Sequence, residues 1–143
     1  MTVVLPMNIE GLIPHRPPML LVDRLVELSA DEAVSETVFG PGSLVVREDG
    51  RVEEAALFEM MAQTFAAFAA AGREGPGPAA GFLVGLKRLT VHSPARIGSP
   101  VLVRVKIISR VEDFSVVEGE ARQGGQLLAA GQITVFVPEE AAV

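Results

Sequence analysis

Between Ala55 and Gly72 the chain reads AALFEMMAQTFAAFAAAG, and Glu59 is the only charged side chain in it. A helix that is apolar on nearly every face has no polar side to offer water, so it is normally buried. Its small alanines allow a sheet to approach closely. Glu53 and Glu54 stand at the start, where the macrodipole favours negative charge, and Gly72 is a suitable C′ residue. The pattern predicts a helix from about residue 52 to Ala71, roughly 30 Å long. A lone carboxylate there is costly to desolvate without purpose, which makes Glu59 the first candidate functional residue.

The rest of the chain reads as strands. Pro14, Pro17 and Pro18 fix φ and remove donors in GLIPHRPPML, so this stretch enters the first strand extended. Strands are expected over 19–29, 33–39, 81–92, 100–111, 114–121 and 126–137, with a turn at Ala30 to Glu32 and a Gly124-Gly125 hairpin. Gly40-Pro41-Gly42 is a break, SLVVRE a short extended piece, Asp49-Gly50 a turn, and residues 72–81 a Gly/Pro loop. Over 100–111, Val103, Val105 and Ile107 alternate with Arg104, Lys106 and Arg110, predicting a half-exposed sheet. Two strands, one long buried helix and an antiparallel meander make an α+β fold, and residues 1–143 suit a single domain.

Composition narrows the function classes. The absence of cysteine excludes disulfides and thiolate chemistry. No apolar run approaches the roughly 20 residues of a membrane span, and MTVVLPMNIE lacks the marks of a secretory leader, so a cytoplasmic protein is expected. Nothing calls for a cofactor or a metal. Residues 75–111 hold Lys87, Arg88, Arg96, Arg104, Lys106 and Arg110 with no Asp or Glu, while the remainder is strongly acidic. With neither Trp nor Tyr to stack bases and a pI near 4.9, nucleic acid is not an expected partner. The basic residues read as a local anion contact or as ordinary solvent-facing charges.

Three segments carry a family resemblance: LIPHRPPMLLVDRLVEL at 12–28, LFEMMAQTFAAFAA at 57–70 and GFLVGLKRLTVHSPARIGSPV at 81–101. In order and spacing they resemble the hotdog-fold 3-hydroxyacyl-[acyl carrier protein] dehydratases, nearest the divergent dehydratase-like members of aryl polyene-type pathways. The resemblance implies a long central helix wrapped by a curved antiparallel β-sheet. It also implies dehydration of a 3-hydroxyacyl thioester, borne by acyl carrier protein or CoA, to the trans-2-enoyl thioester. That reaction needs a base for the α-proton, an acid for the leaving hydroxyl and donors for the enolate-like oxygen.

Glu59 falls on the family's acid position, and its apolar neighbours Leu57, Phe58, Met60 and Met61 are expected to favour its protonated form by desolvation. Gln63, at i+4, shares its face and can orient the carboxyl. Backbone N–H groups near Glu54 and Ala55 can polarise the thioester carbonyl. Phe58, Phe65 and Phe82 are candidates for an acyl tunnel or for the core. The chain departs from the family where the catalytic histidine belongs, in a Gly-His-Phe-Pro-Gly motif about 14 residues before the acid; Val45 stands there. The remaining histidines are His15, in the Pro-His-Arg motif, and His92, at a strand end.

Three functions remain open at this point. The first is an active dehydratase using Glu59 with a displaced base such as His15 or a partner's residue. The second is a hotdog thioesterase, which needs only a helix carboxylate to activate water. The third is a non-catalytic thioester-binding subunit paired with an active hotdog protein. The family implies a homodimer or a heterodimer with another hotdog protein. Delivery on an acidic carrier gives Arg88, Arg104 and Lys106 a candidate docking role.

Overall fold

In the computed structural model, which describes residues 4–72 and 82–138, the chain winds one sheet around one helix. The elements are β1 (Met7–Asn8), a 3-10 turn (Ile9–Gly11), β2 (Arg24–Leu28), β3 (Glu32–Val38), α1 (Glu54–Ala71), β4 (Phe82–Val91), β5 (Pro100–Val111), β6 (Phe114–Gln123) and β7 (Gln126–Phe136). Each hydrogen-bonded neighbour runs antiparallel, in the order β1-β2-β3-β5-β6-β7-β4.

This order corrects the expected meander. Only β5, β6 and β7 form one; β4 lies beyond β7 at the far edge. The connection from β4 to β5 is too long for a hairpin and crosses the end of the sheet. It is pinned by His92 and Ser93 N–H to the Leu128 carbonyl, by Val52 N–H to that of Ala95, and by Gly98 N–H to that of Phe39. Most of the loop expected at 72–81 lies outside the described residues.

The helix begins at Glu54, two residues later than expected, because Val52 is held in an isolated bridge with Val46. Gly72 caps it in right-handed geometry (φ −87°), so the left-handed C′ role expected of it is not used. Leu57, Met60, Met61, Phe65, Ala67 and Phe68 are buried against the inner face of the sheet. Alternation along β5 puts Val101, Val103 and Val105 on that face too. Two cross-strand glycines, Gly119 and Gly131, make the close approach possible. A Cβ on Gly119 would lie 2.5 Å from Met61 Sδ, and one on Gly131 would lie 3.3 Å from Phe58 Cε1.

Burial of α1 is not uniform. Ala55, Phe58, Glu59, Ala62, Ala66 and Ala69 form an exposed to half-buried stripe at helical spacing, and Glu59 lies within it. The first strand is shorter than expected: the N–H groups of Met19 and Leu20 close a turn on the Arg16 carbonyl, and strand pairing begins only at Arg24. The hairpin between β6 and β7 turns at Gly124 and Gly125 with φ of 59° and 80°, values that glycine adopts without strain.

Candidate active site

Gln63 organises the site. It is 1 % exposed, and both of its amide hydrogens are given to groups within the protein. Its Oε1 accepts from Leu21 N–H at 2.9 Å, and its Nε2 donates to the Met19 carbonyl at 2.8 Å and to Glu59 Oε2 at 2.9 Å. The proline-rich segment that delivers residues 14–20 is thereby fastened to the helix, and the same amide holds the carboxylate. One turn of helix places both side chains on one face. Next to Gln63, Thr64 donates to the Met60 carbonyl at 2.6 Å and pairs with Ser35 on β3 at 2.8 Å, seating the helix on the sheet.

Fastening this segment brings His15 to Glu59. Its Nε2 lies 3.6 Å from Glu59 Oε2, while its Nδ1 is buried and meets no hydrogen-bond partner among the described residues. Arg16 braces the bend from the other side, donating to the carbonyls of Ile13 at 2.9 Å and His15 at 2.7 Å. Glu59 is half-buried, its side chain 36 % exposed, so the desolvation expected from its apolar neighbours is only partial.

Val45, at the position of the family's missing histidine, packs against the core, and its carbonyl accepts from Glu53 N–H at 2.8 Å. This loop also leaves the helix uncapped. Glu53 occupies the N-cap position without a side-chain cap, because Arg47 engages its carboxylate with two 2.8 Å bonds. Arg47 holds the Glu53 carboxyl below its ordinary value, and Arg51 does the same for Asp49. The N–H groups of Glu54 and Ala55 thus stand at an exposed helix start with no side-chain cap, about 7 Å along the axis from Glu59.

The other sequence candidates scatter. Phe58 is half-buried over Gly131, whereas Phe82 pairs with Phe136 at the far end of β4, five residues along β7 and about 17 Å away. Phe65 belongs to the core. His92 is exposed after β4. Arg104 is ion-paired with Glu32 and lies 3.6 Å from Glu27, with Glu32 holding its guanidinium above the ordinary value. Lys106 sits between Glu32 and Glu118 in register. A bulge at Ile108 turns Arg110 to the other face, opposite Ser115, which corrects the expectation that it shares a face with Arg104 and Lys106. Arg88 is exposed in the bulge of β4 at φ 54°.

Sequence reasoning missed the backbone half of the site, the Met19 carbonyl and Leu21 N–H that anchor Gln63. Main-chain groups leave no compositional trace. Among the described residues no group of three or more His, Asp or Glu is arranged to hold a metal, and no helix is long and apolar enough to cross a membrane.

Comparisons with known proteins bear on this geometry. The family model described as ApeP-like, ApeP dehydratase, matches residues 7–143. A 3-hydroxyacyl-[acyl-carrier-protein] dehydratase FabZ of Streptococcus sanguinis is 29 % identical over 146 residues, covering 91 % of this chain and 95 % of that one. Among solved structures, the dehydratase heterocomplex ApeI:P from Xenorhabdus doucetiae superposes with a TM-score of 0.85 at 21 % identity, covering 97 % of this chain and 95 % of the other. A hypothetical thioesterase with coenzyme A from Streptococcus pneumoniae gives 0.65 at 11 % identity, covering 80 % and 84 %. The fold is the hotdog fold.

Proposed function

The chain belongs to the ApeP-like dehydratase family, and from that premise we propose that it removes water from 3-hydroxyacyl thioesters on acyl carrier protein. The products are trans-2-enoyl thioesters for fatty acid or polyene-type lipid synthesis in the cytoplasm. The observation that carries the reading is the convergence of His15 and Gln63 on one oxygen of Glu59, at 3.6 and 2.9 Å. A fixed carboxyl at the midpoint of the reaction suits proton transfer at C2 and at the C3 hydroxyl. The uncapped helix start supplies N–H groups for the thioester oxygen, where negative charge develops. The half-buried Phe58, beside this face, suits the acyl chain.

The site is completed in a dimer, with itself or with another hotdog protein. On β4, Leu83, Leu86 and Val91 pair with the inward-facing Val135, Ile133 and Ala129, yet remain exposed. Such an edge strand is a template for another sheet. Leu86→Asp is expected to leave a monomer in light scattering; an unchanged dimer refutes this edge as the interface.

Val45 in place of histidine supports the second reading, a subunit that needs a histidine-bearing partner. Assay of the purified protein with a 3-hydroxyacyl carrier thioester, alone and mixed with such a partner, separates the functions. Enoyl product alone supports the dehydratase, free thiol the thioesterase, and product only on mixing the partner subunit.

A further inference from the structure

We propose that Glu59 performs both proton transfers through Oε1, and that His15 is a positioning residue presenting a fixed N–H to Oε2 rather than the displaced base. The proposal rests on the dehydratase reading above. Neutral imidazole carries one N–H and one lone pair, and which nitrogen holds the proton is set by what each nitrogen faces. Nε2 faces the Glu59 carboxylate, an acceptor, at 3.6 Å; Nδ1 is buried with no partner among the described residues. A proton on Nδ1 would leave a donor orphaned and set the Nε2 lone pair against a carboxylate oxygen. A proton on Nε2 removes both conflicts at once. In that tautomer Nε2 has no lone pair for an α-proton, and the lone pair on Nδ1 is out of reach of substrate.

Glu59 itself is divided in the same way. Oε2 accepts from Gln63 and faces His15, whereas Oε1 has no hydrogen bond among the described residues. Gln63 has no hydrogen left for substrate, since its two are given to Met19 and Glu59. One hydrogen bond, from Gln63, and the imidazole standing 3.6 Å away are both spent on Oε2, which leaves Oε1 for chemistry. Oε1 of the carboxylate removes a proton from C2, and the C–H electron pair becomes the C2–C3 double bond as the C3–O bond breaks. The carboxyl then gives that proton to the departing hydroxide. One water leaves and Glu59 is a carboxylate again, with no second base consumed.

The test uses the intact protein, as purified, with a 3-hydroxyacyl carrier thioester. His15→Ala is expected to lower kcat about 10- to 100-fold with KM little changed, by releasing the carboxylate from its working position. His15→Gln, whose amide offers an N–H near the place of Nε2, is expected to recover most of that loss. Glu59→Gln falls at least about 100-fold. His15→Gln as inactive as His15→Ala, with Glu59→Gln also inactive, overturns this inference alone; full turnover by Glu59→Gln overturns the dehydratase site itself. Nitrogen-15 NMR of wild type reads the tautomer independently of any variant. A proton on Nε2 supports the proposal, and one on Nδ1 only overturns it.

Discussion

Replacing Gln63 by leucine removes three hydrogen bonds while nearly conserving volume. The cavity cost is therefore small, under about 1.5 kcal/mol, and the polar cost dominates. The Leu21 N–H is buried and loses its only acceptor among the described residues, a penalty of about 1–3 kcal/mol. Met19 is 56 % exposed, so its carbonyl can turn to water at little cost. A net loss of about 2–3 kcal/mol follows, or roughly 5–10 °C in Tm for a chain of this size. Gln63→Glu keeps the acceptor for Leu21 but sets two carboxylates one turn apart, and should fall at least as far. Thermal or urea melts monitored by circular dichroism measure both. Gln63→Leu melting within about 1 °C of wild type would refute the claim that this side chain fastens the proline-rich segment to the helix.

Further consequences follow from other parts of the structure. Gly119→Val should lower stability by about 2–3 kcal/mol in urea titration, because its Cβ already meets Met61 within 3 Å. Arg104→Glu places a third carboxylate beside Glu27 and Glu32 and should cost stability, whereas Arg88→Glu should leave stability intact and weaken turnover of carrier-linked substrate while sparing small thioesters. Equal effects of Arg88→Glu on both substrates would exclude a docking role. Glu53 and Asp49 have folded-state values held below 4.5 and 3.8, so their stabilising pairs are intact above those values and vanish as pH falls through the lowered ones. The stability difference between wild type and Glu53→Gln should accordingly shrink to nothing in strong acid, as followed by urea melts across pH.

Much of the fold was legible because its signals are local. The apolar run from Ala55, the alternation over 100–111 and the Gly124-Gly125 turn each specify their element within a few residues. So did the pairing of Glu59 with Gln63, since helical spacing alone puts i and i+4 together. The misses share a different origin. The ion pair of Arg104 with Glu32 joins residues 72 positions apart, and the anchors of Gln63 are main-chain atoms 42 and 44 residues away. Placing β4 beside β7 rather than β5 is decided by how the long connection crosses the sheet end, which no periodicity encodes. The flip of Arg110 depends on one extra residue at a bulge. His15 illustrates both halves: its residue type was visible, and its approach to Glu59 depends on a tertiary arrangement in which Gln63 holds residues 19 and 21 to the helix and Arg16 braces the bend.

The central claim, that Glu59 is the reacting group, is tested most directly by single-turnover formation of enoyl thioester by Glu59→Gln, under conditions where wild type converts a 3-hydroxyacyl carrier thioester. The amide preserves size and most packing, so the account predicts a folded protein with a rate lowered by at least about 100-fold. Enoyl product formed at the wild-type rate would contradict it.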